Sequence, residues 1–211
     1  MPSLNQNIFH IFLTKIKSLD WIILSLIILI SLVSLLTLSS LDFNNNNILQ
    51  KHSYRIIFSF FIFFVVATIN IKFWYKISYF FYGFVILLLI FVDSFGLVGK
   101  GAKRWLDIGL FNLQPSELMK VAVILALARY YQHIKTDEID RIKNLVLPIT
   151  LIILPFILVI KQPDLGTAIF ILLVAISILW LAGLKLKIFI FGTLSLLILA
   201  PLSIAFLKPY Q

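Results

Sequence analysis

Charge-free apolar runs recur along almost the whole chain, separated by short polar connections. A helix needs about 17–25 mostly apolar residues to cross the hydrocarbon core of a bilayer. Residues 21–40, 165–184 and 188–207 each supply twenty uncharged positions, and 56–71, 77–92 and 145–160 supply sixteen that flanking residues must extend. A seventh stretch, 118–132, carries Lys120 and Arg129 near its ends and crosses only if both side chains run outward to the interfaces. The pattern predicts an all-α, polytopic integral membrane bundle of about seven transmembrane helices, a single transmembrane domain over residues 1–211.

Composition agrees. Hydrophobic residues make up 61% of the chain and charged ones 13%, with a mean hydropathy of +1.06, which excludes an ordinary soluble domain. Because apolar runs continue throughout, a cleaved signal does not account for them. The chain has no cysteine, so disulfides, thiolate chemistry and thiol-ligated zinc are excluded. His10, His52 and His133 share no metal-ligand spacing, and no metal site is assigned. The net charge of +9 is ascribed to loop cations anchoring to membrane lipids. Nucleic-acid binding is excluded for want of a soluble basic face. Asn44–Asn47 reads as a solvated external linker, and Pro148, Pro155 and Pro201 read as helix kinks.

Lys and Arg accumulate in the cytoplasmic loops of membrane proteins. With the amino terminus cytoplasmic, ten of the eighteen lie inside: Lys15, Lys17, Lys72, Lys76, Arg129, Lys135, Arg141, Lys143, Lys185 and Lys187. The outer eight include Lys100, Lys103, Arg104 and Lys120, and without those the outer count falls to four. Inverting the chain would move Lys72, Lys76, Lys185 and Lys187 outside with nothing in exchange. The orientation is therefore read as amino terminus inside, with an external cationic cluster that calls for a use.

Two turns of similar make lie on that outer face. Gln114-Pro115-Ser116-Glu117 and Gln162-Pro163-Asp164-Leu165 are separated by two spans, an even number of crossings. Each is read as opening a helix from outside, with Gln near the cap, Pro at the first position and a carboxylate in the first turn. For stability alone that account suffices. Their location adds a second reading, because carboxylates at helix starts are poor general acids but good acceptors, cation ligands or partners for Arg. The neighbouring cations suit an anion, and Arg104 can grip phosphate oxygens through two parallel hydrogen bonds. The residues point to an external phosphate or pyrophosphate headgroup site, the alternative being cations that only hold lipid. Gly99, Gly101 and Gly109 surround Trp105 and let the loop fold back towards the interface, where an indole anchors. Gly99-Lys100-Gly101 is read as preceding no strand and opening no dinucleotide fold.

The stretches KGAKRWLDIGLFNLQPSELMK (100–120) and KQPDLGTA (161–168) closely resemble signatures of the SEDS family, the shape, elongation, division and sporulation membrane proteins. The carboxyl-terminal FLKPYQ fits the same family, most like its rod-shape-determining members, and the resemblance runs from about residue 20 to Gln211. It implies the amino-terminal portion of a ten-span fold. It also implies a peptidoglycan glycosyltransferase that polymerises lipid II, the undecaprenyl-pyrophosphate-linked disaccharide peptide, during cell-wall elongation and rod-shape maintenance. The implied location is the bacterial inner (cytoplasmic) membrane, and the implied partner is a class B penicillin-binding protein. The family's catalytic aspartate lies in a large external loop after the seventh span and is expected beyond Gln211, so no residue here receives that role. Carried over position by position, the sensitive residues are Lys103, Arg104 and Trp105, then Gln114, Pro115, Glu117 and Lys120, then Gln162, Pro163, Asp164 and Gly166. Arg104 and Lys103 are expected to neutralise charge growing on the departing pyrophosphate. Trp105 is expected to pack or to stack on sugar, and Glu117 and Asp164 to orient the cations or hold a divalent cation. Pro115, Pro163 and Gly166 are expected to shape the turns.

Two other classes of function fit the pattern less well. A polyprenyl-linked lipid flippase or transporter needs charged residues at mid-membrane depth, and the six uncharged spans carry none. A non-catalytic scaffold for a penicillin-binding protein would recognise it through helix surfaces of the first three spans. A chain without the catalytic loop is expected to be inactive alone, whether as a truncated frame, a part that pairs with a separate remainder, or a degraded product.

Overall fold

A computed structural model describes residues 14, 19–41, 46–99, 102–109, 112–190 and 194. They fall into two compact units, Met1–Ile71 and Lys72–Gln211. Among the described residues five helices are long and apolar enough to cross a membrane, so the protein is a multi-pass membrane protein built as a helical bundle.

The first unit is a hairpin of α1 (Trp21–Leu41) and α2 (Asn46–Thr68) packed on each other. Asp20 starts α1 by accepting from the backbone N–H groups of Ile22 at 3.0 Å and Ile23 at 3.2 Å, as an N-cap should. Isoleucine and leucine are exposed over most of α1, with Leu24 buried, the character of a helix that meets lipid on most of its surface. Most of its hydroxyls are satisfied within the helix, Ser31 donating to the Ile27 carbonyl and Thr37 to that of Val33, while Ser34 bonds His52 of α2. α2 begins ten residues before the uncharged run at 56–71, so Lys51, His52 and Arg55 are helical. An uncharged run measures hydrocarbon depth, whereas the helix continues into the headgroup layer.

The second unit contains α3 (Ile71–Phe95), β1 (Leu97–Gly99), β2 (Ala102–Asp107), β3 (Asn112–Leu113), α4 (Pro115–Tyr131), a 3-10 turn (Thr136–Glu138), α5 (Ile142–Lys161) and α6 (Leu165–Ala182). The strands pair antiparallel in the order β1-β2-β3, with Gly99 opposite Ala102 and Leu106 opposite Leu113. This corrects the expectation that Gly99-Lys100-Gly101 precedes no strand, since β2 begins at Ala102. Strands of three and two residues are too short to carry a periodic signal, and all three strands are held by local hairpin pairing. The chain enters them through Gly96, where an added Cβ would lie 2.4 Å from the Val92 carbonyl oxygen.

α4 occupies the centre, packed against α5, α6 and β2. Met119, Ala122, Val123, Ala126 and Leu127 are fully buried along it. Its 17 residues span about 26 Å at 1.5 Å per residue, the low end for a crossing, with Lys120 and Arg129 towards its ends.

α5 runs through both of its prolines, which are buried. A helical proline supplies no N–H to the carbonyl four residues back, which frees Asn144 O for Pro148 and Leu151 O for Pro155. Both carbonyls receive a tyrosine hydroxyl from another helix, Tyr130 of α4 donating to Asn144 O at 3.0 Å and Tyr82 of α3 to Leu151 O at 3.1 Å. The prolines therefore create acceptors that tie α5 to its neighbours, more than they break it. α6 ends at Gly183, whose φ of 100° lets the chain turn in the left-handed conformation glycine favours. Most of the expected span 188–207, with Pro201, and Lys100 lie outside the described residues.

Candidate functional site

β2 alternates, with Ala102, Arg104 and Leu106 more buried than Lys103, Trp105 and Asp107. That period aims Arg104 inward, towards the turn between α5 and α6. Its Nε donates to the Gln162 carbonyl at 3.1 Å, and its Nη2 to the Pro163 carbonyl. Its Nη1 lies 3.9 Å from Asp164 Oδ1. The guanidinium thus caps the carboxyl-terminal end of α5, whose last carbonyls have no partner within the helix, and bridges to the start of α6.

Asp164 is the N-cap of α6, its Oδ1 accepting from the backbone N–H of Thr167 at 3.2 Å. Its other oxygen accepts from Gln114 Nε2 at 3.2 Å. Gln114 is itself the N-cap of α4, followed by Pro115 at the first helical position with Glu117 in the first turn. Gln162 is buried and donates through Nε2 to the Leu89 carbonyl of α3 at 2.9 Å. One polar cluster therefore links β2, α3, α4 and the α5–α6 turn, and it draws Arg104 of β2 together with Gln114, Gln162, Pro163 and Asp164 from the two turns read in the sequence.

Those turns are not equivalent. The first matches its expected make. In the second, Pro163 precedes the helix and Asp164 caps it, so the carboxylate is not in the first turn. Asn and Asp are preferred caps where the side chain can reach the N3 N–H, and Asp164 does so.

The other expected residues lie around this cluster. Lys103 turns to the opposite face of β2, where its Nζ donates to the carbonyls of Asp93 and Ser94 at the end of α3, at 3.4 and 3.3 Å. Trp105, opposite Leu97 in the sheet, is 37% exposed. Lys120 pairs with Glu117 at 2.7 Å and sits 4.8 Å over the Phe170 ring of α6. Gly166 lies inside the first turn of α6 with open space about its Cα, so it shapes no turn and nothing in the structure requires glycine there.

A divalent cation does not fit these donors. Glu117 holds Lys120, and both oxygens of Asp164 already accept from Thr167 and Gln114. Among the described residues no group of three or more His, Asp or Glu could hold a metal.

The sequence reading missed the polar network at the opposite end of α4. Arg129 Nη1 donates to the carbonyls of Tyr75 and Lys76 at 2.9 and 2.8 Å, and its guanidinium lies over the rings of Tyr75 and Tyr79. Tyr75 also shares a hydrogen bond with His133. In the sequence, only the placement of Arg129 beyond the apolar part of α4 hinted at this.

Apolar helices with a polar cluster at one end, closed by a small sheet, define a multi-pass membrane protein. The sequence profile described as cell cycle protein, covering the FtsW, RodA and SpoVE proteins, matches residues 13–211. The chain belongs to that family. The peptidoglycan glycosyltransferase MrdB of Escherichia coli strain K12 is 46% identical over 101 residues, which are 47% of this chain and 26% of that protein. The crystal structure of the rod shape determining protein RodA of Thermus thermophilus superposes with a TM-score of 0.75 at 26% identity, over 86% of this chain and 60% of that one. A chain of a peptidoglycan synthase complex that coordinates polymerization and crosslinking gives 0.78 at 27% identity, over 92% and 57%. The chain thus spans 26% of the MrdB sequence and 57–60% of the solved chains.

Proposed function

We propose that this chain forms the donor-side portion of a peptidoglycan glycosyltransferase that polymerises lipid II during cell-wall elongation. The observation that carries the reading is the cluster of Arg104, Gln114, Gln162 and Asp164 at one end of the bundle, built from the two motif stretches that mark the family. MrdB, RodA and the synthase complex support the activity by likeness. The complex also supports a class B penicillin-binding protein as partner. In this reading the protein sits in the bacterial inner membrane, amino terminus cytoplasmic and the cluster outside.

The geometry divides the work differently from the expectation that Arg104 grips pyrophosphate. Arg104 is a positioning residue, because its donors already hold the α5–α6 turn and its side chain is only 26% exposed. Lys103, exposed on the open face of β2 and holding only two long carbonyl contacts, is the cation that answers charge on the departing pyrophosphate. Trp105 lies on the same open face, suited to stack on a sugar ring. The base that takes the acceptor proton is not assigned among these residues.

The test is polymerisation of lipid II by the purified chain, with and without a supplied carboxyl-terminal segment from a family member. Glycan strands from the complemented protein support the reading. No product under either condition, with lipid II unbound, contradicts it.

A further inference from the structure

We propose that the α1–α2 hairpin carries a second anion site, one that takes the phosphodiester headgroup of an anionic phospholipid. A cavity of about 600 Å³ opens between the end of α1 and the start of α2. Lys51 and Arg55, one helical turn apart on α2, line it and point two positive charges into one cleft. Among the described residues neither has an ion-pair or hydrogen-bond partner. In the second unit, by contrast, Arg104, Lys120, Arg141 and Lys185 each lie against a carboxylate. Two cations that meet no carboxylate among the described residues, set in one cleft, favour an anion.

The remaining lining specifies the kind of anion. The Ser34–His52 pair, joined at 2.9 Å, brings a hydroxyl and an imidazole, one of which can donate to a phosphate oxygen, while the Thr37 hydroxyl beside it already donates to the Val33 carbonyl. Leu38 and Ile48 add apolar wall, and the helices around the cleft present apolar side chains to their surroundings. Free phosphate has no use for that apolar rim, whereas a lipid joins its headgroup to chains that lie along it. Basic pockets between transmembrane helices hold anionic headgroups in this way. The site needs nothing from the polymerase reading and stands or falls separately.

Native mass spectrometry of the full chain, released from micelles carrying equal phosphatidylglycerol and phosphatidylcholine with the same acyl chains, tests it. Wild type should retain phosphatidylglycerol preferentially. Lys51→Gln or Arg55→Gln should lower that preference about fivefold each, and the double variant roughly 25-fold, from about 1 kcal/mol per charge. The charge-conserving pair Lys51→Arg and Arg55→Lys should keep it, which separates charge loss from misfolding, and Lys143→Gln with Lys187→Gln should leave it unchanged. Equal retention of both lipids by wild type overturns the proposal, as does a preference that survives the double variant. Displacement of phosphatidylglycerol by millimolar inorganic phosphate, which then binds alone, overturns the lipid assignment.

Discussion

Arg104 and Asp164 meet at 3.9 Å across one end of the helices that α4 gathers, the arginine from a strand and the aspartate as the cap of α6. Because Arg104 also holds the carbonyls of Gln162 and Pro163, the pair acts as a clamp on the α5–α6 turn. Lysine has one donor centre and cannot reproduce this fork. Arg104→Lys should therefore destabilise the chain, and a double-mutant cycle with Asp164→Ala should give a coupling of about 0.5–2 kcal/mol by thermal unfolding in detergent. Asp164→Asn, which keeps an acceptor for Thr167, should lose less than Asp164→Ala, by about 1 kcal/mol. In the complemented enzyme a positioning role predicts that Arg104→Lys lowers kcat with little change in KM, and Lys103→Gln, which removes the charge that answers the departing pyrophosphate in the transition state, should lower kcat and kcat/KM together.

Tyr82 and Pro155 form a compensated pair. Removing the hydroxyl in Tyr82→Phe leaves the Leu151 carbonyl without a donor, at about 1–2 kcal/mol. Pro155→Ala restores a backbone N–H to that carbonyl, so adding it to Tyr82→Phe should recover most of the loss. Additive losses in the two variants would contradict the account of the prolines.

Gly96→Ala should be among the most damaging single-methyl changes. The added carbon meets the Val92 oxygen at 2.4 Å, a backbone atom that cannot swing aside, and the Lys103 Cβ at 3.3 Å. A loss of about 1–3 kcal/mol is expected, and hydrogen exchange should quicken in the strands. Gly166→Ala is the contrasting case. With open space around it, alanine in the first turn should raise stability by about 0.5–1 kcal/mol.

Asp140 ties the α4–α5 connection to the residues after α6. It accepts from the Lys185 ammonium at 2.8 Å and from its backbone N–H at 3.0 Å. The side-chain bond, then the backbone bond, lowers the Asp140 pKa from its usual value of 3.8. A carboxyl depressed in the folded state adds stability that is present above the unfolded value and is lost as pH falls below it through the folded value. Amide protection at residues 183–190 should accordingly hold from neutral pH to about pH 4 and fall below that. Asp140→Asn should remove this step.

Five of the apolar spans and the make of the first turn were legible because hydrocarbon thickness and helix-start chemistry write themselves into composition, whereas the second turn departs because Asp164 takes the cap itself. The sheet was not, since Lys103, Arg104 and Asp107 with flanking glycines read as loop while pairing with β1 and β3 decides the outcome. The start of α2 was hidden because Lys51 and Arg55 ended the uncharged run without ending the helix. The convergence of Arg104, Gln114 and Asp164 was legible as a shared face, but which donor meets which acceptor depends on β2 turning Arg104 inward and Lys103 outward. The tyrosine hydroxyls on the proline-freed carbonyls are contacts between residues 14 and 69 apart, and no local pattern announces the longer one.

The account rests on this polar clamp and the open face of β2 being outside the membrane, where a lipid-linked diphosphate is presented. The chain has no cysteine, so Ile108→Cys, at a position 51% exposed just beyond β2, is a unique thiol. Labelling with a membrane-impermeant maleimide should occur in right-side-out vesicles and be absent in sealed inverted ones. Labelling from the cytoplasmic side alone would contradict the account.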